Sequence, residues 1–317
     1  MICISRYLCF NYREKLVDEY PKVIIAPGAG FCRGVEKAVE KTLHIAKDKE
    51  NGRIFLDGEL VHNREVGDRL RAQGVQLLKE NSEVCAADTI VIRAHGISPQ
   101  RRSHLEHFGC EIVDCTCPLV GRIAKIIADH SANPTILLGD RNHVEVEGLC
   151  GYSQNIYVCE NLTELTQFID AIQKNGQIHG DIFDHKCVNF SKMDDWILVC
   201  QSTLDMNFLE AAKILCAQKK LPIKIFDTIC EATKRRQLGL RTLENCDAVI
   251  VIGGFHSANT KRLYEKMKRK MMSIFWIENI SDLLGINLNN YKSIGITAGA
   301  STSREVLRKI YGEISKK

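Results

Sequence analysis

The chain has 317 residues, of which 45% are hydrophobic and 26% are charged, and its formal net charge is +4. This composition is ordinary for a globular protein of two or three domains, and no apolar run approaches the roughly 20 residues of a membrane span. No long block of lysine and arginine indicates nucleic-acid binding, and the short Lys-Arg-Arg run at 234–236 predicts a solvated helix face.

Residues 1–21 carry three carboxylates, Glu14, Asp18 and Glu19, and lack a long apolar stretch. They therefore fit neither a secretory signal nor an organelle transit peptide, and we interpret them as an N-terminal extension of a cytoplasmic protein. The fourteen cysteines are not expected to form a disulfide framework in a reducing compartment. Most are expected to be small buried hydrophobic residues, and a few are candidates for metal ligands.

Twelve short runs rich in β-branched and aliphatic residues predict β-strands, with helix-period stretches between most of them. In chain order they are 23–26, 54–56, 75–78, 89–92, 111–114, 135–138, 156–158, 196–200, 223–226, 248–252, 274–277 and 293–297. Between the first two, one helical face is shared by Val35, Ala38, Val39, Thr42, Leu43 and Ala46. Alternating strands and helices are typical of α/β proteins with parallel sheets.

The chain also shows three degenerate internal repeats. Glu-Asn follows a predicted strand at 80–81, 160–161 and 278–279, where it predicts the cap of a short helix. These glutamates lie 43 or 48 residues after Cys32, Cys117 and Cys230, and a histidine follows each of the same cysteines by 26 or 30 residues. A shared pattern, apolar-apolar-Asp-x-x-Cys, selects Cys117 over its neighbour Cys115.

The repeats predict an α/β protein of three similar lobes, each with a mainly parallel four-stranded sheet, arranged around a pseudo-threefold axis. We place the lobes at residues 22–112, 113–222 and 223–317, the last including the C-terminal segment.

Each of the three repeated cysteines, Cys32, Cys117 and Cys230, follows a predicted strand and precedes a predicted helix. The carboxyl ends of parallel strands are ligand sites, and a helix start favours a thiolate. Three converging thiolates can hold an iron–sulfur cluster with one open iron, or a zinc ion, although the close cysteine pairs usual for zinc are missing. The residues alone also allow three buried cysteines without metal.

Six polar loops offer imidazole, hydroxyl and amide groups with few charges, at 60–65, 93–96, 141–148, 201–204, 255–262 and 297–303. Together they can bind a diphosphate through many hydrogen bonds, whereas each alone can be an ordinary turn or cap. No Walker motif or G-x-G-x-x-G indicates a nucleotide. Glu145, two residues from His143, is either a buried proton carrier or part of a surface ion pair.

Nine stretches, in the same order along the chain, resemble the 4-hydroxy-3-methylbut-2-enyl diphosphate reductase family (IspH/LytB). They are G-F-C-R-G-V (30–35), V-H-N-R (61–64), A-H-G (94–96), T-C-P-L-V (116–120), H-V-E-V-E-G (143–148), Q-S-T-L (201–204), I-C-E-A-T (229–233), S-A-N-T-K-R-L (257–263) and T-A-G-A-S (297–301). The resemblance covers residues 22–312, and the set is far more specific than any single motif.

The resemblance implies a [4Fe-4S] cluster bound by Cys32, Cys117 and Cys230. The residues that it implies for diphosphate binding are His62, His95, His143, Ser257, Asn259 and Ser301. Glu145, beside His143, matches the proton-delivering glutamate. Near the substrate hydroxyl the family usually has a threonine, and here Ser202 is followed by Thr203, so that either side chain is a candidate.

The implied reaction is the reductive dehydroxylation of (E)-4-hydroxy-3-methylbut-2-enyl diphosphate to isopentenyl and dimethylallyl diphosphates, the last step of the non-mevalonate isoprenoid pathway. Electrons would come from ferredoxin or flavodoxin, and neither nucleic acid nor a membrane is expected as a partner. Two other classes stay open, an inactive iron–sulfur sensor on the same fold and a zinc-dependent hydrolase.

Overall fold

The computed structural model describes residues 21–48, 52–61, 63–175, 177–178, 188–189 and 195–316. It contains three parallel four-stranded sheets with interleaved helices, which confirms the predicted α/β class. Residues 1–20 of the predicted extension lie outside these ranges. Within the described ranges, no helix is both long and apolar enough to cross a membrane.

All twelve predicted strands are present, and a short antiparallel pair, β8 and β9, was not predicted. The strands are β1 (Lys22–Ile25), β2 (Ile54–Asp57), β3 (Val75–Leu77), β4 (Thr89–Ile92), β5 (Glu111–Asp114), β6 (Thr135–Leu138), β7 (Ile156–Cys159), β8 (Gln177–Ile178), β9 (Val188–Asn189), β10 (Trp196–Cys200), β11 (Ile223–Ile225), β12 (Ala248–Ile252), β13 (Ile274–Ile277) and β14 (Ser293–Ala298).

The three sheets share one strand order. The first is β3-β2-β4-β5, the second β11-β10-β6-β7 and the third β1-β14-β12-β13. Each reads 2-1-3-4 when its strands are numbered along the chain, provided that β1 counts as the fourth strand of the third sheet. In that sheet β1 pairs with β14, Lys22 opposite Ser293, so the start of the described chain completes a sheet built mainly from its end.

The predicted lobe limits at residues 112 and 222 stay a prediction. The strand pairing places β5 in the first sheet, β11 in the second and β1 in the third. In each sheet this fourth strand lies at an edge and leads into one of the repeated cysteines, Cys32, Cys117 or Cys230.

The described helices lie mainly between successive strands. They are α1 (Arg33–Asp48), α2 (Arg64–Arg71), α3 (Pro99–Glu106), α4 (Pro118–Asp129), α5 (Val144–Cys150), α6 (Leu162–Asn175), α7 (Met206–Gln218), α8 (Glu231–Gly239), α9 (Ala258–Lys268), α10 (Ile280–Leu284) and α11 (Arg304–Ile314).

The helices after the cysteines carry the chain from one sheet to the next. α1 follows a strand of the third sheet, but its buried residue Val39 packs in the core of the first sheet together with Leu56 of β2. α4 follows a strand of the first sheet, and its Ile127 packs with Leu137 of β6 in the second. The predicted apolar face of α1 is confirmed, and the cysteines lie where the chain crosses between sheets.

Two of the three predicted Glu-Asn caps are confirmed. Asn161 accepts a hydrogen bond at the start of α6, and Asn279 caps α10 in a reciprocal capping box. The third prediction is wrong, because residues 78–88 form no helix. There the buried carboxylate of Asp88 accepts two backbone amides at 2.7 and 2.9 Å and holds the segment as a loop that leads into β4.

Candidate active site

The strand order explains where the six polar loops lie. In a 2-1-3-4 sheet the connections after strands 1 and 3 leave in opposite directions, which opens a crevice at the carboxyl ends of these neighbouring strands. The six loops follow β2 and β4, β6 and β10, and β12 and β14, which are strands 1 and 3 of each sheet. Residues from all six loops line one cavity, together with the three cysteines that follow the edge strands.

Eleven of the twelve site residues predicted from the sequence line this cavity. They are Cys32, His95, Cys117, His143, Glu145, Ser202, Thr203, Cys230, Ser257, Asn259 and Ser301. The twelfth, His62, lies outside the described residues. Cys115 does not line the cavity, because it is buried in the core of the first sheet.

The cysteine sulfurs converge on the cavity from three helix starts. Cys117 and Cys230 are the N-caps of α4 and α8, and Cys32 directly precedes α1. A Cβ placed on Gly34 would lie 2.9 Å from the sulfur of Cys117 and 3.9 Å from that of Cys32. Glycine at this position therefore lets the α1 backbone approach both sulfurs.

Backbone amides at the helix starts are directed at the sulfurs. The Thr233 amide lies 3.4 Å from the sulfur of Cys230, and Leu119 and Val120 bring the amides of the first turn of α4 next to Cys117. Burial raises the pKa of the Cys117 thiol, these amides oppose the rise, and the charges of the other two cysteines add to it. The site favours an occupant that takes up thiolate charge, as a metal centre does.

A buried arginine at the sulfur end of the cavity corrects one prediction. In the Lys-Arg-Arg run, Arg235 is exposed as predicted for a solvated face, but Arg236 is only 2% exposed and lines the cavity. Its Nη2 donates to the carbonyl of Gly30 at 2.7 Å and its Nη1 to that of Ala232 at 3.0 Å. The signal that could have revealed it is helical spacing, since Thr233 lies three residues earlier on the same buried face.

Glu145 lies at the other end of the cavity, in the first turn of α5, and is 2% exposed. Its carboxylate accepts the backbone amide of Ser202 at 2.6 Å and the Ser202 hydroxyl at 2.8 Å. Burial raises the pKa of Glu145, and the hydrogen bonds from Ser202 and the positive charge of Arg262 only partly offset this. The carboxyl therefore keeps its proton to a higher pH than an exposed glutamate does.

His143 caps the helix that carries Glu145. Its Nδ1 accepts the Glu145 amide at 3.1 Å, so the proton of a neutral ring lies on Nε2. The ring meets that of His95 edge to face, with 5.5 Å between centroids. Two imidazoles from different sheets are thereby held beside the carboxyl.

Arg262 positions the loop that carries Ser202, a role that the sequence did not reveal. Its Nη1 donates to the carbonyl of Thr203 at 2.8 Å and to the Thr203 hydroxyl at 2.7 Å, and its Nη2 donates to Oε1 of Gln201 at 2.9 Å. The Thr203 oxygen is thus bound to Arg262, whereas the Ser202 hydroxyl is bound to Glu145. This places Ser202, rather than Thr203, in direct contact with the carboxyl.

The part of the cavity wall that comes from the third sheet has features of an anion site. Ser257 caps α9, whose free amides and dipole favour negative charge, and Asn259 lies in the first turn. The Asn259 side-chain nitrogen is buried and makes no hydrogen bond to the described residues. Ser301 reaches the same wall from the loop after β14.

Three cysteines, a buried carboxyl and a helix start suited to an anion in one cavity are typical of an enzyme that handles a small anionic substrate at a metal centre. A family model described as LytB protein matches residues 23–315, so the chain belongs to the LytB family.

Curated relatives match nearly the whole chain. A protein of Opitutus terrae named 4-hydroxy-3-methylbut-2-enyl diphosphate reductase is 34% identical, and the match covers 92% of this chain and 99% of that protein. A protein of Aquifex aeolicus with the same name is 30% identical, with 93% and 96% covered.

Two solved structures are also similar. One, of (E)-4-hydroxy-3-methyl-but-2-enyl diphosphate reductase, described as the terminal enzyme of the non-mevalonate pathway, is 28% identical with a TM-score of 0.62; the match covers 94% of this chain and 100% of that one. The other, of the Plasmodium falciparum E-1-hydroxy-2-methyl-but-2-enyl-4-diphosphate reductase, is 25% identical with a TM-score of 0.79, covering 93% and 88%.

Proposed function

We propose that this chain is a 4-hydroxy-3-methylbut-2-enyl diphosphate reductase, which converts (E)-4-hydroxy-3-methylbut-2-enyl diphosphate to isopentenyl and dimethylallyl diphosphates. The observation that carries the proposal is the pairing of Glu145 with Ser202 in the same cavity as three cysteines, in a chain of the LytB family. The names of the relatives supply the substrate.

The proposed cofactor is a [4Fe-4S] cluster held by Cys32, Cys117 and Cys230. In the part of the chain that the structure describes, no three His, Cys, Asp or Glu side chains lie close enough to share one metal ion. A cluster would fit this spacing better than zinc, because each of the three cysteines would hold a different iron. The amides directed at the sulfurs and the Arg236 guanidinium also suit an anionic group.

When bound, such a cluster supplies electrons and one iron without a protein ligand, which can polarise the substrate hydroxyl. The reaction removes that hydroxyl as water and adds one hydrogen to the carbon chain, so it consumes two electrons and two protons. Glu145 holds a proton for the departing oxygen, because burial raises its pKa. The Ser202 hydroxyl, 2.8 Å from Glu145, positions the substrate hydroxyl beside it.

The remaining predicted residues hold the diphosphate. Ser257, Asn259 and Ser301 line one wall and His95 and His143 another, so the anion can be bound from three sheets at once. Such binding orients the short carbon chain and raises the effective concentration of the reacting groups. His62 remains a prediction for the same role.

The electrons are proposed to come from a one-electron carrier protein, ferredoxin or flavodoxin, in the cytoplasm. Of the alternatives, the inactive sensor is disfavoured by the Glu145–Ser202 pair, since a sensor needs no proton donor beside its ligand site. The zinc hydrolase is disfavoured by the spacing of the candidate ligands.

The test is to purify the chain without oxygen, measure iron and acid-labile sulfide, and supply the hydroxylated diphosphate with a chemical one-electron reductant. We expect iron and sulfide in equal amounts and formation of both prenyl diphosphates. A cluster-bearing protein without turnover would indicate the sensor, and bound zinc without sulfide would indicate the hydrolase.

A further inference from the structure

Arg236 is a buried cation that forms no ion pair with a carboxylate among the residues that the structure describes. No ion pair within the described ranges involves this side chain, and its two hydrogen-bond acceptors are the carbonyls of Gly30 and Ala232. Carbonyl dipoles alone compensate a buried full charge poorly, and burial of an unpaired ion is costly. A guanidinium in this position therefore calls for an anion.

The groups that can supply the negative charge are cysteine sulfurs. Arg236 lines the same cavity as Cys32 and Cys230, and burial lowers the pKa of its guanidinium while charge on these two cysteines opposes that change. Its Nε makes no hydrogen bond to the described residues. Arg236 thus forms part of the cavity wall at the end where the cysteine sulfurs lie.

The carbonyls of Gly30 and Ala232 fix the position of the Arg236 guanidinium. Gly30 lies two residues before Cys32, and Ala232 lies two residues after Cys230. One planar guanidinium therefore ties together the two chain segments that present these sulfurs, which are 198 residues apart in sequence. A lysine would keep the charge but could not donate in two fixed directions at once.

We propose that Arg236 is the fixed counter-charge of the metal centre, which favours the reduced cluster by compensating the negative charge that reduction adds. The inference rests on the proposed [4Fe-4S] cofactor. Reduction adds one electron to a buried anionic group, and an adjacent positive charge stabilises the product more than the reactant. Arg236 thereby helps to set the potential at which the enzyme accepts electrons.

The test is a redox titration of the substrate-free, cluster-bearing protein, followed by electron paramagnetic resonance, on Arg236→Gln, Arg236→Lys and Arg235→Gln. Arg235→Gln is the matched control, because it removes the same charge from the exposed face of the same helix. At the wild-type midpoint potential we expect Arg236→Gln to have an about tenfold lower ratio of reduced to oxidised cluster, which is about 59 mV for one electron. Arg236→Lys and Arg235→Gln are expected to remain near the wild-type value.

An Arg236→Gln protein with a full cluster and an unchanged potential would overturn the proposal, as would an equal shift in Arg235→Gln. If Arg236→Gln loses its cluster, Arg236→Lys decides: a retained cluster with near-normal potential supports the counter-charge, and loss in both variants contradicts it. A wild-type protein that holds no iron and sulfide would instead refute the proposed cofactor, so the two failures are distinguishable.

Discussion

The two ends of the cavity each contain a buried arginine, but the two side chains have different tasks. At the carboxyl end, Arg262 donates to Gln201 and Thr203, and the Glu145–Ser202 pair is complete within the protein. At the sulfur end, Arg236 donates to two carbonyl groups, lines the cavity together with the cysteines and has no carboxylate partner among the described residues. The carboxyl end is hydrogen-bonded within the protein, whereas the sulfur end requires a bound group to balance its charge.

The fold alone organises the carboxyl end of the cavity, whereas the sulfur end is completed by the proposed cofactor. Proton delivery depends on groups that the protein already positions, so changes there should alter turnover while the metal content stays constant. Changes among the sulfurs should alter the metal content itself.

The largest effect is expected at the sulfur end. Replacing Cys32, Cys117 or Cys230 with Ser should abolish the proposed cluster and all turnover, because each sulfur is one of its three proposed ligands. Iron, sulfide and visible absorbance measure this directly. Cys115→Ser is the control, since Cys115 packs in the core of the first sheet and should leave the cluster intact. Loss of colour in Cys115→Ser with retention in Cys117→Ser would reverse the ligand assignment.

The next largest effect is expected for Glu145→Gln, which removes the acidic proton of the carboxyl group but keeps the shape of the side chain. Turnover should fall about 10²- to 10⁴-fold with cluster content unchanged, as is usual for loss of a general acid. Single-turnover assays with reduced protein measure it. If this variant turned over normally, Glu145 would have no part in proton delivery.

A smaller effect is expected on the pH dependence of turnover, which depends on Glu145 and its neighbour Arg262. Turnover should decline as the pH rises through the raised pKa of Glu145, because the protonated carboxyl is the active form. Arg262 lowers that pKa, so Arg262→Gln should move the alkaline decline to higher pH. A pH profile of kcat for both proteins tests this. A decline that persists in Glu145→Gln would belong to another group.

The smallest effect distinguishes the two neighbouring hydroxyls. Ser202→Ala removes the hydroxyl bound to Glu145 and should lower kcat about tenfold or more, within the usual range for a positioning group. Thr203→Val removes a hydroxyl that serves Arg262 and should cost only a few-fold, because the Thr203 carbonyl still accepts from Arg262. The reverse order of effects would assign the substrate contact to Thr203.

The sequence predicted the features that depend on local pattern. The twelve strands follow from apolar runs, and the cysteines and polar loops follow from repeated spacing, because each repeat presents its chemistry at the same strand ends. Eleven predicted site residues share one cavity for this reason.

The features that were missed depend on contacts between distant segments. Arg236 donates to the carbonyl of Gly30, which is 206 positions away, and local spacing could place it only on the same helix face as Thr233, not in a cavity. The role of Arg262 depends on a loop 59 residues earlier. The wrong helix at 78–88 has the same origin, because the distant amide of Arg53 helps to fix Asp88 and the loop.

The pairing of β1 with β14 has a consequence for biogenesis. The ribosome makes β1 long before its partner strand β14, residues 293–298. Until β14 is made, Cys32 has no sheet to hold it, and a nascent chain can offer only two of the three positioned sulfurs. If the proposed cluster is bound, its insertion must therefore follow the synthesis of β14, and a chain truncated before β14 should stay colourless even with Cys32, Cys117 and Cys230 present.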